Sequence, residues 1–199
     1  MSRVVTKQKQ SYFDLVIVGA GMVGAALACA LGETEIRVAV VEAREISAQK
    51  EDQDRSGFEP RVSALTQASR NFLNNIGAWG FISAHRHCPF ERMQVWDAEG
   101  TGSIAFDAAE IGQLSLGYII ENSAISGGLY RRMAQLDNVD LIAPARIAAL
   151  SKTGDGKNRI VLEEGGDLTA TLLVGADGAQ SRVRELAGIA IDQRDYQQS

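Results

Sequence analysis

The chain has 199 residues, of which 45% are hydrophobic and 23% are charged, and this is the composition of a folded globular protein. Its formal net charge of −5 is opposite to the basic face that nucleic-acid binding requires, so we predict no nucleic-acid partner. The polar, basic N-terminus is not followed by a signal-peptide apolar segment, and no stretch has the length of a transmembrane helix. The two cysteines lack metal or disulfide spacing. These features predict a cytoplasmic protein.

The first pattern along the chain is a strand, a helix and a second strand. Residues 13–18 are a short β-branched run that ends in glycine, which predicts a strand buried on both faces. The alanine-rich residues 22–31 predict a helix packed closely on a sheet, and residues 36–42 predict a second buried strand. Three such elements within about thirty residues define a βαβ crossover with parallel strands. The polar residues 43–60 that follow predict a mobile loop.

The rest of the chain mixes helical and alternating patterns. Helices are predicted over residues 65–76, where Gly77 is the stop signal, over 123–135, and from 181 to 186. A hairpin is predicted over 93–106 with its turn at 97–102, and further strands over 118–120, 139–142, 159–163 and 168–174. We therefore predict an α/β protein with a Rossmann-like βαβ fold, in which an antiparallel β element interrupts a parallel sheet.

A glycine-rich loop lies between the first strand and the first helix. Gly19, Gly21 and Gly24 match the pattern GxGxxG in the context that gives this pattern its meaning. The first glycine permits a tight turn, the second has no Cβ to block a pyrophosphate, and the third lets the helix lie close to the strand. Met22 completes the candidate loop, and the positive end of the helix that it opens favours phosphate. The loop predicts dinucleotide binding.

A carboxylate follows at the spacing that this motif requires. Glu42 lies 18 residues after Gly24 (42 − 24 = 18), at the end of the second predicted strand. There it is placed to accept hydrogen bonds from both hydroxyls of an adenosine ribose and to repel a 2′-phosphate. The alternative is a solvated glutamate at a strand end. Loop and carboxylate together predict recognition of an adenosine diphosphate but do not choose between NAD and FAD.

A second signature lies near the end of the chain. A buried strand that ends in Gly-Ala-Asp-Gly, residues 175–178, places the Asp177 carboxylate at the carboxyl edge of the sheet, where ligands bind in such folds. With Ser181 and Arg184, this stretch resembles the DG motif of the class A flavoprotein aromatic hydroxylases, the para-hydroxybenzoate hydroxylase type. The resemblance implies that Asp177 and Gly178 contact the ribityl chain of FAD, and it favours FAD over NAD. A turn or helix-cap carboxylate is the alternative for Asp177.

Further motifs narrow the resemblance to the ubiquinone-biosynthesis flavin-dependent hydroxylases. These motifs are Arg-Val-Ser-Ala-Leu-Thr at 61–66, Gly-Ala-Trp at 77–79, Val-Trp-Asp at 95–97 and Ile-Glu-Asn-Ser at 120–123. The resemblance extends from about Tyr12 to Gln198. It implies that Arg61 reaches the flavin side of the cofactor and that Asn122 makes a polar contact near the ribityl or pyrophosphate region. A surface charge for Arg61 and a helix N-cap for Asn122 are the alternatives.

The resemblance implies a function. It is that of an FAD-dependent monooxygenase, which uses NAD(P)H and O2 to hydroxylate the aromatic ring of a polyprenylphenol or quinol intermediate of ubiquinone biosynthesis. A class A hydroxylase for another aromatic substrate and a non-catalytic FAD-binding or assembly module are the alternatives. The partners expected from the family are the polyprenylated substrate, the inner membrane through peripheral contact, a biosynthetic complex, and a second copy of the chain.

Members of that family are longer than this chain and carry a second FAD-contacting Gly-Asp motif in their other half. We therefore expect an N-terminal fragment with weak FAD affinity and an incomplete active site. Its expected parts are a flexible segment at 1–11 and an FAD-binding domain at 12–199, in which about 85–117 contribute to the substrate domain.

Other residue groups are set aside. His85, His87 and Cys88 are neighbours, but the chain has no further histidine and the second cysteine lies in the first predicted helix, so a surface role is predicted instead of a metal site. Trp79 and Trp96 are interpreted as packing aromatics. No side-chain nucleophile is predicted, and we assign no catalytic side chain.

Overall fold

The computed structural model describes residues 11–46, 59–192 and 194, which fall into two compact units. The first unit comprises residues 11–46 with 137–192 and 194, and the second comprises residues 59–136. The predicted flexible segment at 1–11 and the predicted loop at 43–60 lie mostly outside the described residues.

Both units combine strands with short helices. The strands, in chain order, are β1 (Ser11–Val18), β2 (Val38–Val41), β3 (Val62–Thr66), β4 (His87–Phe90), β5 (Arg92–Trp96), β6 (Ser103–Asp107), β7 (Gly117–Glu121), β8 (Val139–Ile142), β9 (Ile147–Lys152), β10 (Asn158–Leu162) and β11 (Asp167–Gly175). The helices are α1 (Met22–Ala30), α2 (Gln67–Asn75), α3 (Trp79–Ser83), α4 (Asn122–Met133) and α5 (Arg182–Leu186), with a 3₁₀ turn at Ala108–Ile111. Among the described residues, no helix is both long enough and apolar enough to cross a bilayer.

The first unit is built on one six-stranded sheet in the order β8-β2-β1-β11-β10-β9. The four strands from β8 to β11 in that order are parallel, and β10 and β9 continue the sheet antiparallel. This confirms the predicted βαβ unit and the predicted antiparallel element in a parallel sheet. Val16 and Ile17, neighbours in β1, are both fully buried, because a central parallel strand is covered on both faces.

The second unit contains two antiparallel sheets. One has the order β3-β7-β4, and the other is the predicted hairpin of β5 and β6. Helices α3 and α4 pack closely because Gly128 has no side chain: a Cβ there would lie 2.4 Å from Cγ1 of Ile82. The rings of Trp79 and Tyr118 pack with centroids 5.4 Å apart, which confirms a packing role for Trp79. Trp96 is 68% exposed, so the packing role predicted for it is wrong.

One predicted helix boundary is wrong. The helix predicted over 65–76 begins at Gln67, because Leu65 and Thr66 pair with Tyr118 and Gly117 as the end of β3. Thr66 is the N-cap, and its Oγ1 accepts a hydrogen bond from the Ser69 N–H at 3.2 Å. The predicted stop is confirmed, since Gly77 has a φ of +76° and its N–H donates to the Asn74 carbonyl.

Three strands and one helix were not predicted. They are β3, β4, β9 and α3. The sequence of β9, Ile-Ala-Ala-Leu-Ser-Lys, has no strand alternation, and its pairing with β10 decides its conformation. Strand β4 contains Pro89, which is tolerated because β4 is an edge strand of its sheet.

Candidate cofactor-binding site

The glycine loop joins β1 to α1 at the carboxyl edge of the six-stranded sheet. The Gly19 N–H donates to the Val41 carbonyl at 2.8 Å, and the Ala176 N–H donates to the Val18 carbonyl at 2.7 Å. The loop is thereby tied to the ends of both strands that flank β1. Gly19 has a φ of +101°, and a Cβ there would lie 2.4 Å from the Ala176 oxygen. Both the backbone conformation and the close approach require glycine at this position.

Gly24 lies in the first turns of α1 and serves the fold. A Cβ on this residue would lie 1.9 Å from the Gly19 carbonyl oxygen and 3.2 Å from the Ala176 Cβ. The third glycine of the motif therefore lets the helix lie on the loop and on the end of β11, whereas the sequence suggested packing on the preceding strand.

Gly21 differs from the other two glycines because its surroundings are open. It is the N-cap of α1 with a φ of −60°, which any residue can adopt, and a Cβ there would meet no atom within 4 Å. The N–H groups of the first helical turn, which begins at Met22, have no partner within the helix. Open space next to these donors and to the positive end of the helix is what a pyrophosphate requires. The residues present fit the phosphates of a dinucleotide.

Glu42 follows β2 and is buried, with 7% of its surface exposed. Its Oε2 accepts a hydrogen bond from the Ala20 N–H at 2.9 Å, and its Oε1 accepts from the Arg44 N–H at 3.0 Å and from Nε of Arg44 at 3.3 Å. Burial raises the pKa of Glu42, but these hydrogen bonds outweigh it and hold the pKa below its ordinary value. The interpretation as a solvated strand-end glutamate is therefore wrong: the carboxylate is charged, buried and fixed against the glycine loop.

Asp177 follows β11 at the same edge and has both carboxylate oxygens engaged. Oδ1 accepts from the Ser181 hydroxyl at 2.5 Å, and Oδ2 accepts from the Val183 N–H at 3.0 Å. Burial raises the pKa of Asp177, but its hydrogen bonds, above all those from the Ser181 hydroxyl and the Val183 N–H, together lower the pKa below its ordinary value. The helix-cap interpretation is confirmed as one role of this residue, because Val183 lies in the first turn of α5.

One cleft joins most of the predicted residues of the first unit. Its volume is ≈ 570 Å³, within the range of ligand sites, and its lining includes Gly19, Gly21, Glu42, Asp177 and Gly178. Gly178 has a φ of +87°, and a Cβ there would meet no atom within 4 Å. The cleft is therefore lined by the glycine loop, the buried Glu42 carboxylate and the oriented Asp177 carboxylate at one edge of the sheet.

Arg44 also lines this cleft and was missed by the sequence analysis. Its guanidinium forms an ion pair with Glu42. A cation two positions after Glu42 is the sequence signal that could have found it.

The other two predicted residues lie in the second unit. Arg61 is exposed and directly precedes β3, and its carbonyl accepts a hydrogen bond from the Asn122 N–H at 3.0 Å. Asn122 is the first residue of α4, and its Oδ1 accepts from the Ser63 hydroxyl at 2.7 Å. The N-cap interpretation of Asn122 is wrong, because the N-cap is Glu121 and the side chain that accepts from the Ser123 N–H belongs to Glu59.

The neighbouring histidine and cysteine residues lie in and before β4. The His87 ring packs against Tyr118, with centroids 5.7 Å apart, and Cys88 is exposed. Within the part of the chain that the structure describes, no three potential ligands gather as a metal site would require.

Comparison with known proteins then identifies the family. A model described as "FAD binding domain" matches residues 12–198. The chain belongs to the FAD binding domain family. This agrees with the glycine loop and the carboxylates of Glu42 and Asp177 at a single sheet edge, and it confirms FAD as the predicted dinucleotide.

Several curated relatives of this FAD binding domain have names that place them in ubiquinone hydroxylation or biosynthesis. It is 36% identical over 186 residues to 3-demethoxyubiquinol 3-hydroxylase of Escherichia coli (strain K12), which covers 94% of this chain and 46% of that protein. It is 34% identical to the ubiquinone hydroxylase UbiL of Rhodospirillum rubrum, covering 98% of this chain and 44% of that protein. The resemblance predicted from the sequence motifs is confirmed. The chain spans about half the length of the curated relatives it matches.

Solved structures share the fold. PqsL of Pseudomonas aeruginosa, described as a probable FAD-dependent monooxygenase, superimposes with a TM-score of 0.73 at 23% identity, over 94% of this chain and 48% of that one. The p-nitrophenol 4-monooxygenase PnpA of Pseudomonas putida DLL-E4 superimposes with a TM-score of 0.72 at 20% identity, over 92% of this chain and 45% of that one. These likenesses confirm the predicted fold class.

Proposed function

We propose that this chain is the FAD-binding part of a monooxygenase that hydroxylates the aromatic ring of a polyprenylphenol or quinol intermediate in ubiquinone biosynthesis. The observation that carries the proposal is the first unit's cleft, in which a glycine loop and two hydrogen-bonded carboxylates line one sheet edge. The names of the curated relatives supply the reaction class and the pathway.

Within the cleft, each residue has a separate task. Gly19 and Gly24 shape the loop, while Gly21 and Met22 leave the first-turn N–H groups of α1 open to the pyrophosphate. Glu42 accepts a hydrogen bond from the adenosine ribose. A carboxylate has roughly four acceptor positions, of which Ala20 and Arg44 take three, and the exposed Arg44 guanidinium can leave.

Asp177 and Gly178 contact the ribityl chain. The support for this assignment is the match to the DG motif together with the fixed orientation of the Asp177 carboxylate. Gly178 adds an open backbone position beside it, where no side chain stands between the ligand and the peptide. Arg61 and Asn122 form a second group of cofactor-binding residues, supported by the resemblance of their motifs.

FAD, when bound, supplies the redox chemistry of hydroxylation, with NAD(P)H as reductant and O2 as co-substrate. The chain's own residues bind and orient the cofactor, so no side-chain nucleophile is needed. Residues 85–117, which include the β5–β6 hairpin, contribute to the substrate domain. Exposed apolar side chains on that hairpin support this placement: Met93, Val95, Ile104 and Phe106.

A polyprenyl tail on the substrate calls for contact with a membrane surface or a biosynthetic complex. We therefore propose a cytoplasmic protein that associates peripherally with the inner membrane, with other enzymes of the pathway, or with a second copy of itself.

The cofactor assignment is tested by titrating the purified chain with FAD and following the flavin fluorescence. The expected result is saturable one-to-one binding that ADP competes away, because the adenosine diphosphate half carries the recognition. The reaction is tested by NAD(P)H oxidation and product analysis with a demethoxyubiquinol analogue. FAD binding without hydroxylation of any phenol by the full-length protein would favour the FAD-binding module over the enzyme.

A further inference from the structure

The segment that carries Arg61 is held by a carboxylate far away in the sequence. Oε1 of Glu121 accepts a hydrogen bond from the backbone N–H of Glu59 at 3.1 Å, across 62 positions of chain. The Glu59 side chain returns the contact, since its Oε2 accepts from the Ser123 N–H at 3.0 Å. These two glutamates therefore tie the start of this segment to the junction of β7 and α4.

Arg61 itself is fixed by the same junction. Its carbonyl accepts from the Asn122 N–H at 3.0 Å, and the next residue, Val62, pairs with Glu121 as the first rung of β3 and β7. The backbone is thus held at Arg61 and again two residues earlier. The Arg61 side chain remains exposed, and the junction fixes the backbone from which it projects.

The Glu121 carboxylate does not cap the helix that begins after it. Glu121 is the N-cap of α4, yet its side chain makes no capping hydrogen bond, and Glu59 supplies that acceptor instead. The carboxylate is turned toward the Glu59 backbone and is only 17% exposed. Nη2 of Arg86 donates to the same Oε1 at 3.2 Å and so helps to hold the carboxylate in this orientation.

We propose that Glu121 is a positioning residue for Arg61, because it fixes the backbone at Glu59, two residues before Arg61. The proposal rests on the proposed function, in which Arg61 contacts FAD. A glutamate that served only the fold would change stability when removed. A positioning glutamate also changes cofactor affinity, and it does so only while Arg61 is present.

The test is a double-mutant cycle on FAD affinity, measured by flavin fluorescence with the whole chain. We expect Arg61→Ala to weaken binding about tenfold, the size of a charge-assisted hydrogen bond. Glu121→Ala should weaken binding about threefold to tenfold in the parent chain and less than about twofold in the Arg61→Ala chain. Glu121→Gln keeps an acceptor oxygen and should restore binding to within about twofold of the parent.

A matched control is Asp107→Ala. Asp107 is another N-cap residue of the second unit, but its own carboxylate makes the capping contact: it accepts from the Ala109 N–H at 2.9 Å, and it pairs with Arg92. Its removal should lower the melting temperature and leave FAD affinity unchanged. If Glu121→Ala does not fold, Glu121→Asp serves in its place, because a side chain shorter by one methylene keeps the charge but cannot reach Glu59.

The outcomes separate the proposal from the function on which it rests. Equal losses from Glu121→Ala in both backgrounds, or an unchanged affinity in the parent chain, overturn the positioning role. If Arg61→Ala leaves FAD affinity unchanged, the assignment of Arg61 fails and the positioning role fails with it, while the glycine loop stands. If the parent chain binds no FAD, the proposed function itself is overturned.

Discussion

Replacing Gly21 by valine separates cofactor binding from folding. A side chain at this position fits within the fold, but it would occupy the space that the pyrophosphate of the cofactor needs. A Cβ on Gly21 meets no atom within 4 Å, and the φ of −60° suits any residue. The cost to the fold is that of a poorer N-cap, about 1 kcal/mol. For a chain of this size that cost lowers the melting temperature by about 2–4 °C.

The cost to FAD binding is larger. A phosphate oxygen must come to about 2.9 Å from a nitrogen of the first helical turn to accept its hydrogen. Carbon atoms, however, require separations of about 3.5–4.0 Å. The three added carbons of valine therefore hold the pyrophosphate away from the α1 N-terminus. We expect FAD affinity to fall at least about 100-fold, or about 2.7 kcal/mol, with Gly21→Ala intermediate.

The assay is a fluorescence titration with FAD, paired with a thermal melt of the same sample. A Gly21→Val protein that melts within a few degrees of the parent and binds FAD with unchanged affinity would refute the phosphate-loop assignment. A variant that loses both its fold and its affinity would refute the claim that the space beside Gly21 is free.

Three further predictions concern the same sheet edge. Gly24→Ala should unfold the chain or lower its melting temperature far more than Gly21→Ala, because the new Cβ would lie 1.9 Å from the Gly19 oxygen; equal melting temperatures would contradict this. The pKa of Glu42 is lower in the folded chain than its ordinary 4.5, so its contribution to stability is full above that pH and is lost as the pH falls through the folded value. Urea unfolding between about pH 6 and pH 3 should therefore show a shallower acid loss in Glu42→Gln than in the parent, and parallel curves would rule out this contribution. Ser181→Ala removes the hydroxyl that donates to Asp177 and that accepts from the Arg184 N–H as the N-cap of α5. The free energy of unfolding should therefore fall by about 1 kcal/mol, and FAD affinity should weaken. An unchanged affinity would argue against a fixed Asp177 carboxylate in the site.

The βαβ unit could be predicted because its signals are local. A β-branched run, an alanine-rich helix and a second apolar run each specify their own conformation, and the crossover rule then fixes their pairing. Strand β9 gave no such signal, since its alanine-rich sequence becomes a strand only through its ladder with β10. The start of α2 was misplaced for the same reason: pairing with β7 keeps Leu65 and Thr66 extended.

The site was predictable where a motif fixes the spacing of its residues. Gly19, Gly21 and Glu42 lie at fixed distances along one βαβ unit, and Asp177 follows a strand that ends at the same edge. The contact of Glu59 with Glu121 could not be predicted, because it depends on the register of β3 and β7 and joins positions 62 residues apart. The sequence also could not place the helix N-cap at Glu121 instead of Asn122, because the side chain that accepts from the Ser123 N–H belongs to Glu59, 64 positions away in the chain.

We propose that FAD binds with its adenosine diphosphate half in the cleft of the first unit. A crystal structure of the chain saturated with FAD tests it most directly. We expect the pyrophosphate at Gly21 and Met22, against the N-terminus of α1, and a ribose hydroxyl within hydrogen-bond distance of the Glu42 carboxylate. A pyrophosphate bound elsewhere on the chain, or a ribose out of reach of Glu42, would contradict it.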